Sequence, residues 1–191
     1  MRNIQIGILG STRGTSLQPI IDAIEQKKLA ATIQLVVSNK KDAYILERAK
    51  KHGLSAFFID PAELTREAYD EKISFLIREH LVDLIILIGY MRILSNDFIK
   101  QWKNKIINVH PSLLPLFAGG MDKNVHQAVL NANMKETGCT VHEVTEIVDQ
   151  GPILVQKACP VLPGDTAESL KARVQVLEGK ALIEAIHQVR Y

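Results

Sequence analysis

The chain has 191 residues, 47% of them hydrophobic and 23% charged, and a formal net charge of +2. That length suits one domain with a real core, and so small a net charge argues against a dedicated nucleic-acid binder, which would carry a concentrated basic face. The longest apolar run, Leu84 to Met91, is far too short to cross a bilayer. Met1-Arg2-Asn3 runs straight into a strand-like segment without the apolar stretch of a secretory signal, so no membrane partner and a cytoplasmic location are expected. The two cysteines, Cys139 and Cys159, are expected as reduced, buried thiols rather than as a disulfide framework.

In chain order, Ile4 to Leu9 reads as a strand that ends at a glycine loop. Ser16 to Lys27 reads as a helix with Ser16 as N-cap and Pro19 in the first turn. Ile33 to Val37 is the next strand, and Ala43 to His52 a helix stopped by Gly53. Phe57 to Ile59 is a short strand, followed by a long helix from Thr65 to Leu81. Leu84 to Ile88 is so uniformly apolar that it is expected as a central parallel strand covered on both faces. A helix over Ser95 to Trp102 and a strand over Lys105 to Val109 complete the first half. Beyond it, Asn124 to Ala132 reads as a helix, Cys139 to Val144 and Ile153 to Val161 as two neighbouring strands, and Thr166 to Val189 as the closing helix. Alternating strands and helices predict an α/β, Rossmann-like doubly wound sheet, parallel in the N-terminal half. The two later strands are close enough in sequence to pair antiparallel, which makes the C-terminal half mixed.

Two segments carry chemistry. The first is Gly10-Ser11-Thr12-Arg13-Gly14-Thr15-Ser16, between the first strand and the first helix. Backbone N–H groups at a helix N-terminus form a natural phosphate cradle; the hydroxyls add donors and Arg13 adds charge. The dinucleotide fingerprint is not met. The glycines stand at 7, 10 and 14, and the second strand ends in Ser38-Asn39-Lys40 rather than in an acidic residue. A monophosphate therefore fits better than a nicotinamide cofactor.

The second segment is Asn108-Val109-His110-Pro111-Ser112-Leu113-Leu114-Pro115. Asn108 and His110 are two apart at a strand's carboxyl end, so they point to one side, where ligands of such sheets sit. Asn can donate to a developing oxyanion; His can donate to the same atom or shuttle a proton. Asp149, in the loop before Gly151, is the candidate carboxylate, and beside the imidazole it is expected to raise the His110 pKa. Without a nucleophile elbow, this reading reaches acyl transfer to a small phosphorylated acceptor whose own amine attacks. His110, His126 and His142 show no metal-ligand spacing, and no metal is expected.

Asn108-x-His110-Pro111-Ser112-Leu113-Leu114-Pro115, Thr140-Val141-His142 and Asp149-x-Gly151-Pro152-Ile153, in that order, resemble the folate-dependent formyltransferases. Gly14-Thr15-Ser16-Leu17-Gln18, Arg66-Glu67-Ala68-Tyr69-Asp70 and Gly89-Tyr90-Met91-Arg92-Ile93-Leu94-Ser95 resemble the branch that formylates glycinamide ribonucleotide. The resemblance implies a single formyltransferase domain, with an acceptor-binding lobe over 1–100 and a catalytic and folate-binding lobe over 101–191. It implies N10-formyltetrahydrofolate as co-substrate, small-molecule partners only, a monomer or homodimer, and a place in purine biosynthesis. Residue by residue, it implies a catalytic trio of Asn108, His110 and Asp149. Ribonucleotide contacts fall at Gly14, Thr15, Ser16, Arg66, Gln175 and Glu178. The folate wall falls at Met91, Arg92, Ile93, Leu94, Ile99, Ile106, Val144, Thr145, Ile147 and Val148. The chain departs from the family pattern at Arg13, where a small polar residue is common, at Ser16, which replaces Asn, at Gly179, and in the stretch Leu116 to Lys123. Two other branches are the alternatives, the methionyl-tRNA formyltransferases, with an added RNA-binding domain, and the formyltetrahydrofolate hydrolases, with a regulatory domain ahead of the first strand.

Overall fold

The computed structural model describes residues 3–119 and 123–189. Thirteen elements follow in chain order: β1 (Ile4–Leu9), α1 (Leu17–Glu25), β2 (Ala31–Ser38), α2 (Tyr44–Lys51), β3 (Ala56–Phe58), α3 (Arg66–Glu79), β4 (Leu84–Leu87), α4 (Asn96–Gln101), β5 (Ile106–His110), α5 (Lys123–Asn131), β6 (Glu136–Glu143), β7 (Ile153–Pro160) and α6 (Ala167–Gln188). Each lies where the hydrophobic periodicity places it, with ends shifted by a residue or a few. The strands form one seven-stranded sheet in the order β3-β2-β1-β4-β5-β6-β7. Pairing is parallel from β3 through β2 and β1 to β4, and antiparallel between β6 and β7. The sheet is therefore mixed, as the short β6–β7 connection requires.

The chain divides into two compact units at Ile107/Asn108, within β5. In the first, all four residues of β4 are buried, as are Ile6, Ile8 and Leu9 of β1 and Leu35, Val36 and Val37 of β2. This uniform burial is what a parallel strand with helices on both faces demands. In the second unit α6 lays Leu170, Val174, Ala181, Leu182, Ala185 and Ile186 against β6 and β7.

Helix starts follow local chemistry. Thr65 accepts from the Ala68 N–H, Ser95 from the Phe98 N–H, and Thr166 forms a reciprocal capping box with Ser169. Ser16 corrects the expectation: its backbone is already helical, and its side chain makes no cap bond to α1. A side-chain N-cap needs an extended backbone at that residue, and the turn at Gly14 does not leave one. Cys139 and Cys159 are free and buried. Among the described residues no helix is long and apolar enough to cross a membrane.

Candidate functional site

In the first unit the glycine loop is fixed from beneath. Gly10 N–H bonds to Val37 O at 3.0 Å, Ser11 N–H to Gly89 O at 3.1 Å, and Ile45 N–H to Thr12 O at 3.2 Å. Gly14 has φ +62°, and a Cβ there would overlap the Ile45 side chain, so both backbone and space call for glycine. Gly14 and Ser16 are buried and Thr15 is half-buried.

The segment Met91–Leu94 is held at both ends. The Met91 N–H donates to Ser11 Oγ at 2.8 Å, and the Ser95 N–H donates to the buried Asp70 carboxylate at 2.6 Å. Burial raises the Asp70 pKa against the opposing Ser95 hydrogen bonds and the Arg92 and Arg66 charges. Arg92 stacks over the Tyr69 ring at 4.2 Å. Met91 and Arg92 are half-buried, Ile93 is exposed and Leu94 is buried, whereas Ile99 and Ile106 lie in the core. Arg66, the first residue of α3, borders a surface depression with Glu67, Ser95, Asn96 and Asp97.

The second unit holds the polar cluster. His110 and Asn108 sit on β5, His142 on β6, and Asp149 in the loop between β6 and β7. Asp149 Oδ2 lies 3.4 Å from His110 Nδ1, and Oδ1 lies 3.5 Å from His142 Nε2. Asn108 Nδ2 is 3.2 Å from His142 Nε2. His110 Nε2 is 3.2 Å from the Phe117 carbonyl, and His142 Nδ1 is 2.8 Å from the Glu143 carbonyl. A carbonyl only accepts, so each of those two nitrogens carries a hydrogen. In a neutral ring the other nitrogen is then a lone pair. For His142 that lone pair accepts from Asn108; for His110 it faces the Asp149 carboxylate.

The loop that carries Asp149 is tightly built. Asp149 has φ +55° and accepts from the Gly119 N–H at 2.8 Å. Glu143 N–H bonds to Pro152 O at 2.9 Å, and a Cβ on Gly151 would overlap the Glu143 carbonyl. The Ser112–Leu116 turn, which contains a cis Leu114–Pro115 peptide, is clamped to the β6–β7 pair. Thr140 Oγ1 donates to Ser112 O at 2.7 Å and accepts from the Leu114 N–H at 3.0 Å. Gln156 Nε2 donates to Leu114 O and to Thr140 Oγ1, both at 2.9 Å. Of the divergent 116–123 stretch, residues 120–122 lie outside the described residues.

Burial works against charge on Asp149, yet its contacts with His142 and the Gly119 N–H, and then with His110, hold its carboxyl below the ordinary range. For His110 the expected direction is reversed. Burial lowers its pKa and outweighs the upward pull of Asp149 and of the Phe117 carbonyl. The ring is only 4% exposed, and desolvating an imidazolium costs more here than one carboxylate at 3.4 Å returns. The cluster therefore pairs a neutral His110 with an ionised Asp149. An open lone pair beside a carboxylate is an arrangement suited to taking up one proton.

Asn108, His110 and Asp149 thus come together. His142, which the sequence marks only as part of Thr140-Val141-His142, joins them. The signal for it was present: two polar residues, Thr140 and His142, two apart near the carboxyl end of a strand, repeat the Asn108–His110 pattern. Val144 and Thr145 are half-buried, while Ile147 and Val148 are 60% and 48% exposed. Gln175 and Glu178 lie one turn apart on α6, Gln175 half-buried and Glu178 buried.

Residues 4–186 match the family model described as formyl transferase, and the chain belongs to that family. It is 39% identical over 176 residues to phosphoribosylglycinamide formyltransferase of Escherichia coli (strain K12), covering 92% of this chain and 82% of that protein. It is also 42% identical over 187 residues to the trifunctional purine biosynthetic protein adenosine-3 of Gallus gallus, matching 97% of this chain but spanning only 18% of the length of that relative. The crystal structure of glycinamide ribonucleotide transformylase 1 from Symbiobacterium toebii superposes with a TM-score of 0.92 at 41% identity, over 96% of this chain and 86% of that one.

Proposed function

We propose that this chain transfers the formyl group of N10-formyltetrahydrofolate to the amine of glycinamide ribonucleotide, giving formylglycinamide ribonucleotide and tetrahydrofolate in de novo purine biosynthesis. The observation that carries the reading is the meeting of Asn108, His110 and Asp149 in one largely buried cluster, with Asp149 Oδ2 at 3.4 Å from His110 Nδ1. The family membership and the 39% identity to a phosphoribosylglycinamide formyltransferase support it.

In this reading the acceptor amine attacks the formyl carbon, and its C–O double bond becomes a tetrahedral oxyanion. Asn108 Nδ2 has two hydrogens; His142 takes one, and the second is directed to that oxygen, which His110 stabilises by its charge once it has taken up the amine's proton. Such donors act strongly because they are positioned before charge develops. The attacking nitrogen must lose a proton and N10 must gain one as its bond to the formyl carbon breaks. The Asp149–His110 pair holds that proton between the two events. The amides of Gly14, Thr15 and Ser16 are assigned to the phosphate, and Arg66, Gln175 and Glu178 to the rest of the acceptor. Met91 to Leu94, Ile99, Ile106, Val144, Thr145, Ile147 and Val148 are assigned to the folate. The first unit then carries the phosphate loop and the second the chemistry.

The test is tetrahydrofolate release by the purified protein from N10-formyltetrahydrofolate, with and without glycinamide ribonucleotide. Release that depends on the acceptor is expected. Equal release without it would make the chain a hydrolase and overturn the reading.

A further inference from the structure

We propose that Tyr44 gathers Arg13, Arg48 and Lys51 into a cationic face beside the glycine loop, and that this face selects a doubly charged phosphate monoester. The proposal rests on the assignment of the acceptor phosphate to the loop at Gly14–Ser16. Three cations share one aromatic ring. Arg13 Cζ, Arg48 Cζ and Lys51 Nζ lie 5.3, 5.4 and 5.1 Å from the Tyr44 centroid. Lys51 Nζ also donates to the Tyr44 hydroxyl at 3.1 Å. The ring quadrupole attracts each cation, but the three repel one another.

Among the described residues none of the three forms an ion pair with a carboxylate. The acidic group that acts on Tyr44 from its own helix is Glu47, which is exposed. Arg48 spends its hydrogen bonds on neutral acceptors, Gln18 Oε1 at 2.6 Å and the Arg13 carbonyl at 3.5 Å. Unneutralised positive charge is thus concentrated on one accessible face: Arg13 and Lys51 are exposed, Tyr44 and Arg48 half-buried.

This face and the loop are one piece of structure. The Ile45 N–H holds the Thr12 carbonyl at 3.2 Å, Arg48 Nε reaches the carbonyl of Arg13, and the Ile45 side chain fills the space beneath Gly14. A phosphate monoester carries roughly −1.5 to −2 charges at neutral pH. Such an anion relieves the mutual repulsion of the cations, whereas a neutral or singly charged ligand relieves less of it. With Arg13 in the loop itself, the face adds side-chain recognition to the loop amides.

The experiment compares wild type with Arg13→Gln, Tyr44→Leu, Tyr44→Phe and Gly14→Ala by steady-state kinetics of the full chain. Acceptors are glycinamide ribonucleotide and its phosphate-free riboside, each at low and high salt. For Arg13→Gln and Tyr44→Leu the ribonucleotide KM is expected to rise about ten-fold at low salt, with a flatter salt dependence and with kcat and the folate KM within about two-fold. Tyr44→Phe, which keeps the ring, is expected to stay close to wild type. All three variants are expected to match wild type on the riboside. If Arg13→Gln and Tyr44→Leu leave the ribonucleotide KM unchanged while Gly14→Ala raises it, the loop alone holds the phosphate and the proposal falls. If Gly14→Ala also leaves it unchanged, the loop assignment falls and takes the proposal with it. A uniform loss for both acceptors and folate, with a lowered melting temperature, would make the cluster structural and overturn the proposal as well.

Discussion

The Asp149 carboxylate bridges two imidazoles, at 3.4 Å from His110 Nδ1 and 3.5 Å from His142 Nε2, and its own loop is pinned by the Gly119 N–H at 2.8 Å. Held this way, the carboxylate is ionised while burial keeps His110 neutral.

Asp149→Asn keeps the shape of the side chain and removes its charge. Both KM values are expected to stay within a few-fold, and kcat to fall by about 10²–10⁴, the range for lost acid–base catalysis. The acidic limb of the pH–rate profile is expected to move as well. Near wild-type kcat between about pH 6 and 9 would reduce Asp149 to a turn-forming residue.

Asn108 and His110 are assigned to one developing oxyanion. Each alanine substitution is expected to lower kcat by about 10²–10³. The double variant is expected to lose less than the product of the two, because both residues act on a single atom. Single-turnover rates of the four proteins measure the coupling, and full additivity would separate the two roles.

The lowered His110 pKa has a consequence for stability. Its protonated form is disfavoured in the folded chain, so the unfolded chain binds more protons once the pH falls below the unfolded histidine value of about 6.5. Stability is fully present above that pH and is lost as the pH falls toward the folded value. Asp149 has the opposite chemistry and the same sign: its depressed pKa contributes stability above about pH 4, lost as the pH falls through the folded value. Urea midpoints measured from about pH 8 down to 5 are expected to decline less steeply for His110→Gln than for wild type, since glutamine cannot take up the proton. Identical slopes would show that His110 is not held neutral by burial.

Thr140 is fully buried and organises the Ser112–Leu116 turn through bonds to Ser112 O, Leu114 N and Gln156. Thr140→Val matches its shape but takes the hydroxyl from Ser112 O and the Leu114 N–H, while Gln156 keeps its bond to Leu114 O. At about 1–3 kcal/mol for each buried polar group left unsatisfied, a loss of roughly 2–4 kcal/mol is expected in urea denaturation. A loss below about 0.5 kcal/mol would mean that water replaces the hydroxyl.

The sequence by itself determined the elements of this fold. The runs Ile4–Leu9 and Leu84–Leu87, the caps Thr65, Ser95 and Thr166, and the glycine that the loop needs at position 14 all depend on neighbours a few residues away. Periodicity and turn chemistry express such local demands directly. The same locality placed Asn108 and His110 on one side of β5 and closed the Asp149 loop at Gly151. Tertiary structure alone decided what these groups meet. His142 reaches Asn108 and Asp149 through the pairing of strands and the closure of a loop, across 34 and 7 residues of chain. The direction of the His110 shift required its burial, which no reading of Asp149 as a neighbour could supply. Tyr44 collects Arg13 from a loop and Arg48 and Lys51 from its own helix because α2 packs its first turn against the glycine loop. Distance along the chain hides such contacts, and the balance between desolvation and charge is set only when the folded chain excludes water.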